Sequence, residues 1–135
     1  MKTIQAAEII SEGGRGGKAE ASDGSLSVSF AQGSASSKGG VTPEHLFAAA
    51  YSSCFHSAVL NHATKGHFKV VGSTVTAKVM LQENERGEYQ LAVELKVALP
   101  GVSRSDAEHL INQAHTTCPY SKALRHNVQV SLSLD

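Results

Sequence analysis

Residues 43–65, PEHLFAAAYSSCFHSAVLNHATK, form the segment that decides the fold. Thr42 is a suitable N-cap residue and Pro43 fits the first helical turn, so the pattern predicts a helix that ends before Gly66. Between its two ends the segment carries almost no charge, and its apolar side chains cover most of the helix circumference. We therefore expect a central helix that is buried on nearly all sides.

The segment before this helix predicts a small antiparallel meander. Its strands are expected at residues 2–12, 18–22 and 26–30. The GGRGG sequence at 13–17 would form the first turn, and Asp23-Gly24 is a typical signal for a two-residue hairpin. Residues 31–40, AQGSASSKGG, are rich in glycine and serine and predict a loop.

The segment after the helix predicts further strands and a second apolar helix. The strands are expected at 68–82, 89–99 and 128–134, with a turn at 84–87. Ser103 and Ser105 are candidate caps for the second helix, which should stop or kink at Cys118 because Pro119 follows it. A short helical piece would then run to about Arg125. The predicted class is α+β, with antiparallel sheets packed on two apolar helices in a single domain, 1–135.

The composition argues against several classes of protein. The 12 basic and 12 acidic side chains cancel, so nothing indicates binding to a nucleic acid or a membrane surface. No apolar run is long enough to span a bilayer, and the first residues lack the apolar core of a secretion signal. We expect a cytoplasmic protein without a nucleic-acid or membrane partner.

The histidines do not form a recognisable metal motif. There are seven of them in 135 residues. His56, His62 and His67 lack the i, i+4 pairing of helical zinc ligands, and no His-Glu-x-x-His occurs. We therefore expect neither a metal nor a bound cofactor.

The two cysteines, Cys54 and Cys118, are chemically the most informative residues. They are too few for a secreted disulfide scaffold and do not form a Cys-x-x-Cys motif. Cys54 lies on an apolar stripe of the first helix, where burial raises the pKa of a thiol and leaves it inert unless a cation is near. Arg15, on the glycine-rich turn, is a candidate for that cation. Two buried cysteines and a solvated arginine are the simpler interpretation.

Three segments together resemble the organic hydroperoxide resistance proteins, a branch of the OsmC/Ohr family. They are GGRGGKAEASDG (13–24), PEHLFAAAYSSCF (43–55) and AHTTCPYSKALR (114–125), in matching order and spacing. Residues 93–115 fit the family pattern as well, so the resemblance spans nearly the whole chain. It implies an OsmC/Ohr-like fold, with antiparallel sheets around two central helices in an intertwined homodimer.

The resemblance implies a role for each of four residues. Cys54 corresponds to the peroxidatic cysteine, Cys118 to the resolving cysteine, Arg15 to the catalytic arginine and Glu44 to the glutamate that pairs with it. The implied reaction reduces an alkyl or fatty-acid hydroperoxide to an alcohol, through a sulfenic acid and then a disulfide between the two cysteines. An external dithiol, typically a lipoyl group on a protein partner, would reduce that disulfide.

Further residues bear on the substrate. Those expected to contact its apolar part are Phe47, Tyr51, Phe55 and Tyr120. The chain departs from the usual family pattern at Thr42, His45, Ala50 and Met80. None of these four departures removes a reacting group, so they concern the shape of the pocket and the choice of hydroperoxide.

The spacing along the first helix predicts a dimeric site. Glu44 and Cys54 are ten residues apart, which is about 15 Å along a straight helix, so the two cannot easily meet within one chain. We expect a two-fold dimer in which Arg15 and Glu44 serve the Cys54 of the partner. Two other functions stay open: a peroxidase of the osmotically induced branch with a broader substrate range, and a non-catalytic dimer that senses redox state or binds lipids.

Overall fold

The computed structural model describes residues 1–31 and 40–135, which form two compact units, Met1–His45 and Leu46–Asp135. The loop expected at 31–40 falls almost wholly outside the described residues. The first helix begins three residues before the boundary between the units and continues into the second. That the chain is one domain stays a prediction.

The first unit contains the expected meander. Its strands are β1 (Ile9–Glu12), β2 (Lys18–Ala21) and β3 (Ser27–Ser29), paired antiparallel in the order β1-β2-β3. The prediction of a strand from residue 2 is wrong, because the last pair of the β1–β2 ladder joins Ile9 to Ala21. Residues 2–8 have no ladder partner and form no strand.

The two turns of the meander differ in how far they match expectation. The GGRGG turn is confirmed as a single 3₁₀ turn at Gly14–Gly16, preceded by Gly13 at a φ of 80°. A Cβ on Gly17 would lie 1.8 Å from the carbonyl oxygen of Glu12, so only glycine fits there. The second hairpin is confirmed, but not as a two-residue turn: Asp23 accepts hydrogen bonds from the backbone and hydroxyl of Ser25 and supports a wider loop.

The second unit consists of helices and a three-stranded sheet. Its elements are α1 (Pro43–Lys65), β4 (Thr74–Glu83), β5 (Tyr89–Ala98), α2 (Arg104–Thr117), α3 (Pro119–Leu124) and β6 (Gln129–Leu134). The strand order is β4-β5-β6. The strand predicted at 68–82 begins only at Thr74, which pairs with Ala98 at the end of β5. The bounds of α1, α2 and α3 agree with the sequence pattern.

The prediction of purely antiparallel sheets is wrong for one strand pair. β4 and β5 form an antiparallel hairpin, but β6 runs parallel to β5. Parallel strands need a long crossover, and here α2 and α3 supply it. The sheet of the second unit is therefore mixed, and α2 and α3 form the connection between its two parallel strands.

One hydrophobic core holds the second unit together. The core face of α1 repeats every four residues through Tyr51, Phe55, Val59 and Ala63. It packs with alternate residues of β5 and with one face of α2, namely Val93, Leu95, Val97, Ala107, Leu110, Ile111 and Ala114. Cys118 belongs to the same core and is fully buried.

Within the second unit, α1 contributes one face to the hydrophobic core. Its exposed residues are mostly small, namely Ala49, Ala50, Ser53, Ser57, Leu60, Asn61 and Thr64, with His45 and Lys65 near the two ends. Small side chains let another surface approach a helix closely. Burial of the helix on nearly all sides, which is expected in a dimer, stays a prediction.

Both long helices begin with side-chain caps. The backbone N–H of Thr42 donates to Nδ1 of His45 at 3.0 Å, so His45 occupies the position that an acid or amide takes in a capping box. At α2 the expected cap is confirmed, because Ser103 accepts from the N–H of Asp106 at 3.2 Å. Across residues 1–31 and 40–135, neither of these helices nor any other is long and apolar enough to cross a membrane.

Candidate active site

The two cysteines lie side by side in the second unit. Cys54, in the middle of α1, is half-buried, whereas Cys118, between α2 and α3, has no exposed surface. Both are free thiols, and their sulfur atoms are 3.8 Å apart. Because a disulfide bond is about 2.05 Å long, a movement of roughly 2 Å would join them. The structure thus brings together two residues that have 63 residues between them in the sequence.

A break between two helices positions the Cys118 sulfur. The residue caps both helices: its N–H closes α2 on the carbonyl of Ala114, and its carbonyl accepts the N–H of Lys122 in α3. Its ψ of 124° is not helical. Pro119 requires this conformation, since proline disfavours helical geometry in the residue before it. The predicted end of the helix before Pro119 is confirmed. The Cys118 thiol therefore lies at the non-helical residue between α2 and α3.

The environment of Cys54 in the second unit disfavours a thiolate. Burial raises the pKa of the Cys54 thiol, and the Cys118 sulfur raises it further. A hydrogen bond from the backbone of Tyr120 acts in the opposite direction but does not reverse the shift. No cation contributes from the described residues of this unit. A reactive Cys54 therefore requires a positive charge from elsewhere.

Arg15 and Glu44 form an ion pair in the first unit. Nη2 of Arg15 donates to both carboxylate oxygens of Glu44, at 2.6 and 2.5 Å. The hydrogen bond from Arg15 is the main cause that lowers the pKa of Glu44, and the same bond raises the pKa of Arg15. Half of the Arg15 side chain is exposed, at 51%. The structure pairs these two predicted site residues, and the cap of α1 fixes the backbone that carries Glu44.

A chain of three polar groups crosses the core beside the cysteines. The hydroxyl oxygens of Tyr51 and Ser121 are 2.7 Å apart, and Ser121 is 2.9 Å from Nδ1 of His115. Arg125 donates to the carbonyl oxygen of His115 at 2.9 Å. Sequence reasoning missed Ser121, His115 and Arg125. The available signal was a histidine in the last turn of an otherwise apolar helix face, three residues before Cys118.

The expected substrate-contacting aromatic residues fall into two groups. Tyr51 and Phe55 are fully buried in the core that contains Cys118, so they have no surface exposed to a ligand. Phe47 is partly buried, and Tyr120 is 43% exposed with its ring centroid 6.2 Å from that of Tyr51. Phe47 and Tyr120 are therefore the better candidates for direct contact with a ligand.

A groove of about 320 Å³ gives access to Cys54. Its other lining residues are Ser57, Ala58, Asn61, His62, Lys65, Thr117 and Pro119. A hydrogen bond of 2.9 Å between His62 and Thr117 joins its two walls. Cys54 lines this groove and Cys118 does not, so a ligand in the groove would meet the sulfur of Cys54.

Two of the three histidines considered as metal ligands, His56 and His62, have hydrogen-bond partners. His56 contacts the hydroxyl of Ser73 at 2.8 Å, and His62 contacts Thr117. In the described ranges, no group of three or more histidine, cysteine or acidic residues could hold a metal ion.

Known proteins resemble this chain over most of its length. Residues 33–133 match a family model described as OsmC-like protein. The chain is 38% identical over 131 residues to the organic hydroperoxide resistance protein OhrB of Bacillus subtilis, covering 95% of this chain and 96% of that one. It is 41% identical over 133 residues to OhrA of the same organism, covering 95% and 94%.

Solved structures share the whole fold. The crystal structure of B. subtilis OhrB has a TM-score of 0.90 at 35% identity and covers 98% of this chain and 100% of that one. A putative organic hydroperoxide resistance protein from Vibrio cholerae, with captopril bound in one of its active sites, has a TM-score of 0.89 at 30% identity, covering 99% and 94%.

The Arg15–Glu44 pair predicts a pH-dependent contribution to stability. Because Arg15 lowers the pKa of Glu44 in the folded state, the pair stabilises the protein above the ordinary glutamate value of 4.5 and loses this effect as pH falls through the lowered value. Glu44→Gln should cost about 0.5–1 kcal/mol at neutral pH, discounted for exposure, and the cost should shrink as pH falls below 4.5. Urea unfolding across this pH range measures the difference.

Glu88→Gln is the matched control for this prediction. Glu88 and Arg86 form an exposed pair at 3.4 Å, so the substitution removes the same charge with a weaker contact. An equal cost for both variants, or a cost of Glu44→Gln that does not decrease as the pH is lowered below 4.5, would contradict the assignment.

Proposed function

The chain belongs to the OsmC-like protein family and has the fold of its organic hydroperoxide resistance members, and on this basis we propose that it is a cysteine-based peroxidase for organic hydroperoxides. One observation carries the proposal: a half-buried and a fully buried thiol with sulfur atoms 3.8 Å apart. Such a pair suits a sulfenic acid that is resolved into a disulfide. The names of the relatives support the class of substrate.

In the first step the Cys54 thiolate attacks the O–O bond. The sulfur takes the terminal oxygen as a sulfenic acid, and the alkoxide leaves with a proton as the alcohol. Arg15 would favour both the thiolate and the departing oxygen, since its guanidinium stays charged when it is desolvated. Glu44 would hold one edge of the guanidinium, as it does in the first unit.

In the second step Cys118 attacks the sulfenic acid and water leaves. The resulting disulfide needs two electrons from an external dithiol, which a lipoyl group on a protein partner can supply by thiol–disulfide exchange. Because Cys118 is fully buried and Cys54 lines the groove, we expect the dithiol to attack Cys54. The protein would then need no bound cofactor of its own.

The exposed face of α1 supports a homodimer. A second chain could cover its small residues, and the Arg15–Glu44 pair of one chain would then serve the Cys54 of the other. The helix itself favours this arrangement, because ten residues of α-helix separate Glu44 from Cys54 by about 15 Å. Phe47 and Tyr120 would contact the apolar part of the substrate, which favours alkyl or fatty-acid hydroperoxides over hydrogen peroxide.

Peroxide consumption with dihydrolipoate as the electron donor tests the function. Wild-type protein should consume cumene hydroperoxide continuously, and faster than it consumes hydrogen peroxide. Cys54→Ser should abolish the reaction, because it removes the attacking sulfur. Cys118→Ser, which removes the same atom from the resolving position, should still consume about one equivalent before turnover fails.

A redox sensor or a ligand-binding dimer would give a different result. Either would stop after one equivalent even in the wild type with the donor present. That outcome, or undiminished turnover by Cys54→Ser, would rule out the proposed peroxidase.

Mixed dimers test whether the site is shared between chains. A dimer of one Arg15→Ala chain and one Cys54→Ser chain has, in the shared arrangement, one intact cysteine opposite one intact arginine. It should recover about half of the wild-type activity, measured after purification through two different affinity tags. If each chain uses its own Arg15, no active site is rebuilt, and the mixed dimer should be as inactive as either parent.

A further inference from the structure

The chain of Tyr51, Ser121 and His115 is a buried polar feature that the peroxidase steps above do not use. Tyr51 has no exposed surface and Ser121 is 1% exposed. Their hydroxyl groups contact each other at 2.7 Å, and Ser121 reaches Nδ1 of His115 at 2.9 Å. Each element beside the cysteines supplies one member: α1, α3 and α2. A continuous hydrogen-bonded chain of this kind can carry a proton.

Elementary chemistry gives the chain a direction. A phenol, whose ordinary pKa is about 10, is a stronger hydrogen-bond donor than an aliphatic hydroxyl, and its oxygen is the weaker acceptor. On this basis we assign the Tyr51 hydroxyl as the donor to Ser121, and Ser121 as the donor to Nδ1 of His115. Burial and the charge of Arg125 both lower the pKa of His115, which keeps the ring neutral and able to accept.

The chain lies beside both cysteines in the fold. Tyr51 is one helical turn before Cys54 in α1, and His115 and Ser121 are three residues before and three residues after Cys118. Burial is the main cause that raises the pKa of the Tyr51 phenol, and negative charge on either Cys118 or Cys54 raises it further. Cys118 is fully buried, so bulk water cannot take the proton of its thiol.

We propose that Tyr51, Ser121 and His115 form the proton relay of the resolving step. This inference rests on the proposed peroxidase cycle. As the Cys118 sulfur attacks the Cys54 sulfenic acid, its proton passes to the Tyr51 oxygen, the Tyr51 proton passes to Ser121, and the Ser121 proton passes to Nδ1 of His115. The S–S bond forms, the S–O bond breaks, and the hydroxide leaves as water with the proton that the relay returns. Ser121 and His115 act through Tyr51 and are positioning residues.

The relay predicts an acid limit for the resolving step. The groups that face His115 in the described part of the chain are Ser121, the Arg125 guanidinium and the Phe55 ring, with Tyr51 and the two thiols beyond them. None of these groups is a carboxylate, and burial together with the charge of Arg125 lowers the pKa of His115 below its ordinary value of about 6.5. Below that point Nδ1 carries a hydrogen and cannot accept, so disulfide formation slows.

The test separates the two chemical steps in single-turnover experiments. Rapid quenching with a sulfenic-acid trap, read by mass spectrometry, follows the oxidation of Cys54 and then the loss of sulfenic acid as the disulfide forms. Ser121→Ala should oxidise within about twofold of the wild-type rate but resolve about tenfold to a hundredfold more slowly, and Tyr51→Phe, which keeps the aromatic ring, should slow resolution to the same extent. Tyr89→Phe and Ser133→Ala, both at exposed positions, are the matched controls and should change neither step.

The pH profile distinguishes a relay from a packing role. Wild-type resolution should slow at acidic pH, whereas His115→Gln should resolve slowly at all pH values without that limit, since an amide carbonyl accepts from Ser121 but does not titrate. Wild-type resolution rates in Tyr51→Phe and Ser121→Ala would overturn the relay. So would equal slowing of both steps, or an unchanged acid limit in His115→Gln.

Failure of the peroxidase proposal itself looks different. The wild type would then not turn over organic hydroperoxide with a dithiol. The second step would still be measurable after Cys54 is oxidised with a single equivalent of hydrogen peroxide, which limits further oxidation of the sulfenic acid, so the relay is judged independently.

Discussion

The burial of one sulfur is the constraint on which the rest of the site depends. Cys54 lies on a helix that forms one wall of the core, and that burial raises the pKa of its thiol. In the proposed reaction the same burial would shield a sulfenic acid from solvent, and the apolar surroundings would accommodate an alkyl group. The chemistry therefore needs a cation that does not belong to the core. An arginine suits this need, because its guanidinium remains charged at a desolvated site where an ammonium group would lose its proton.

The fold meets the remaining requirements with local features. The glycine turn carries Arg15 on a backbone that only glycine can follow at residue 17, and a capped first turn of α1 holds Glu44 against it. The proline after Cys118 ends α2, and Cys118 lies in the break between α2 and α3. Its sulfur atom is 3.8 Å from that of Cys54. The glycine turn, the helix cap and the proline each make a small contribution to the free energy of folding. Together they would position the guanidinium, the hydroperoxide and the resolving thiol relative to one another.

Much of this could be predicted from the sequence. The ends of α1, α2 and α3 follow from capping residues and prolines, which act locally, and the cysteine pair follows from a family pattern with specific motifs. Features that depend on distant partners could not be predicted. β1 is short because β2 ends, and β6 is parallel to β5 because two helices carry the chain across. The Tyr51–Ser121–His115 chain also escaped prediction, since its three members come from separate elements.

Titration of the Cys54 thiol tests the central claim most directly. Thiolate absorbance in the ultraviolet, measured on Cys118→Ser protein so that only one thiol contributes, gives the pKa of Cys54 with and without the Arg15→Ala substitution. With Arg15 present the pKa should lie well below the value of about 8.5 for a free thiol, and without it the pKa should rise above that value, as burial alone dictates. The same pKa in both proteins would contradict the account.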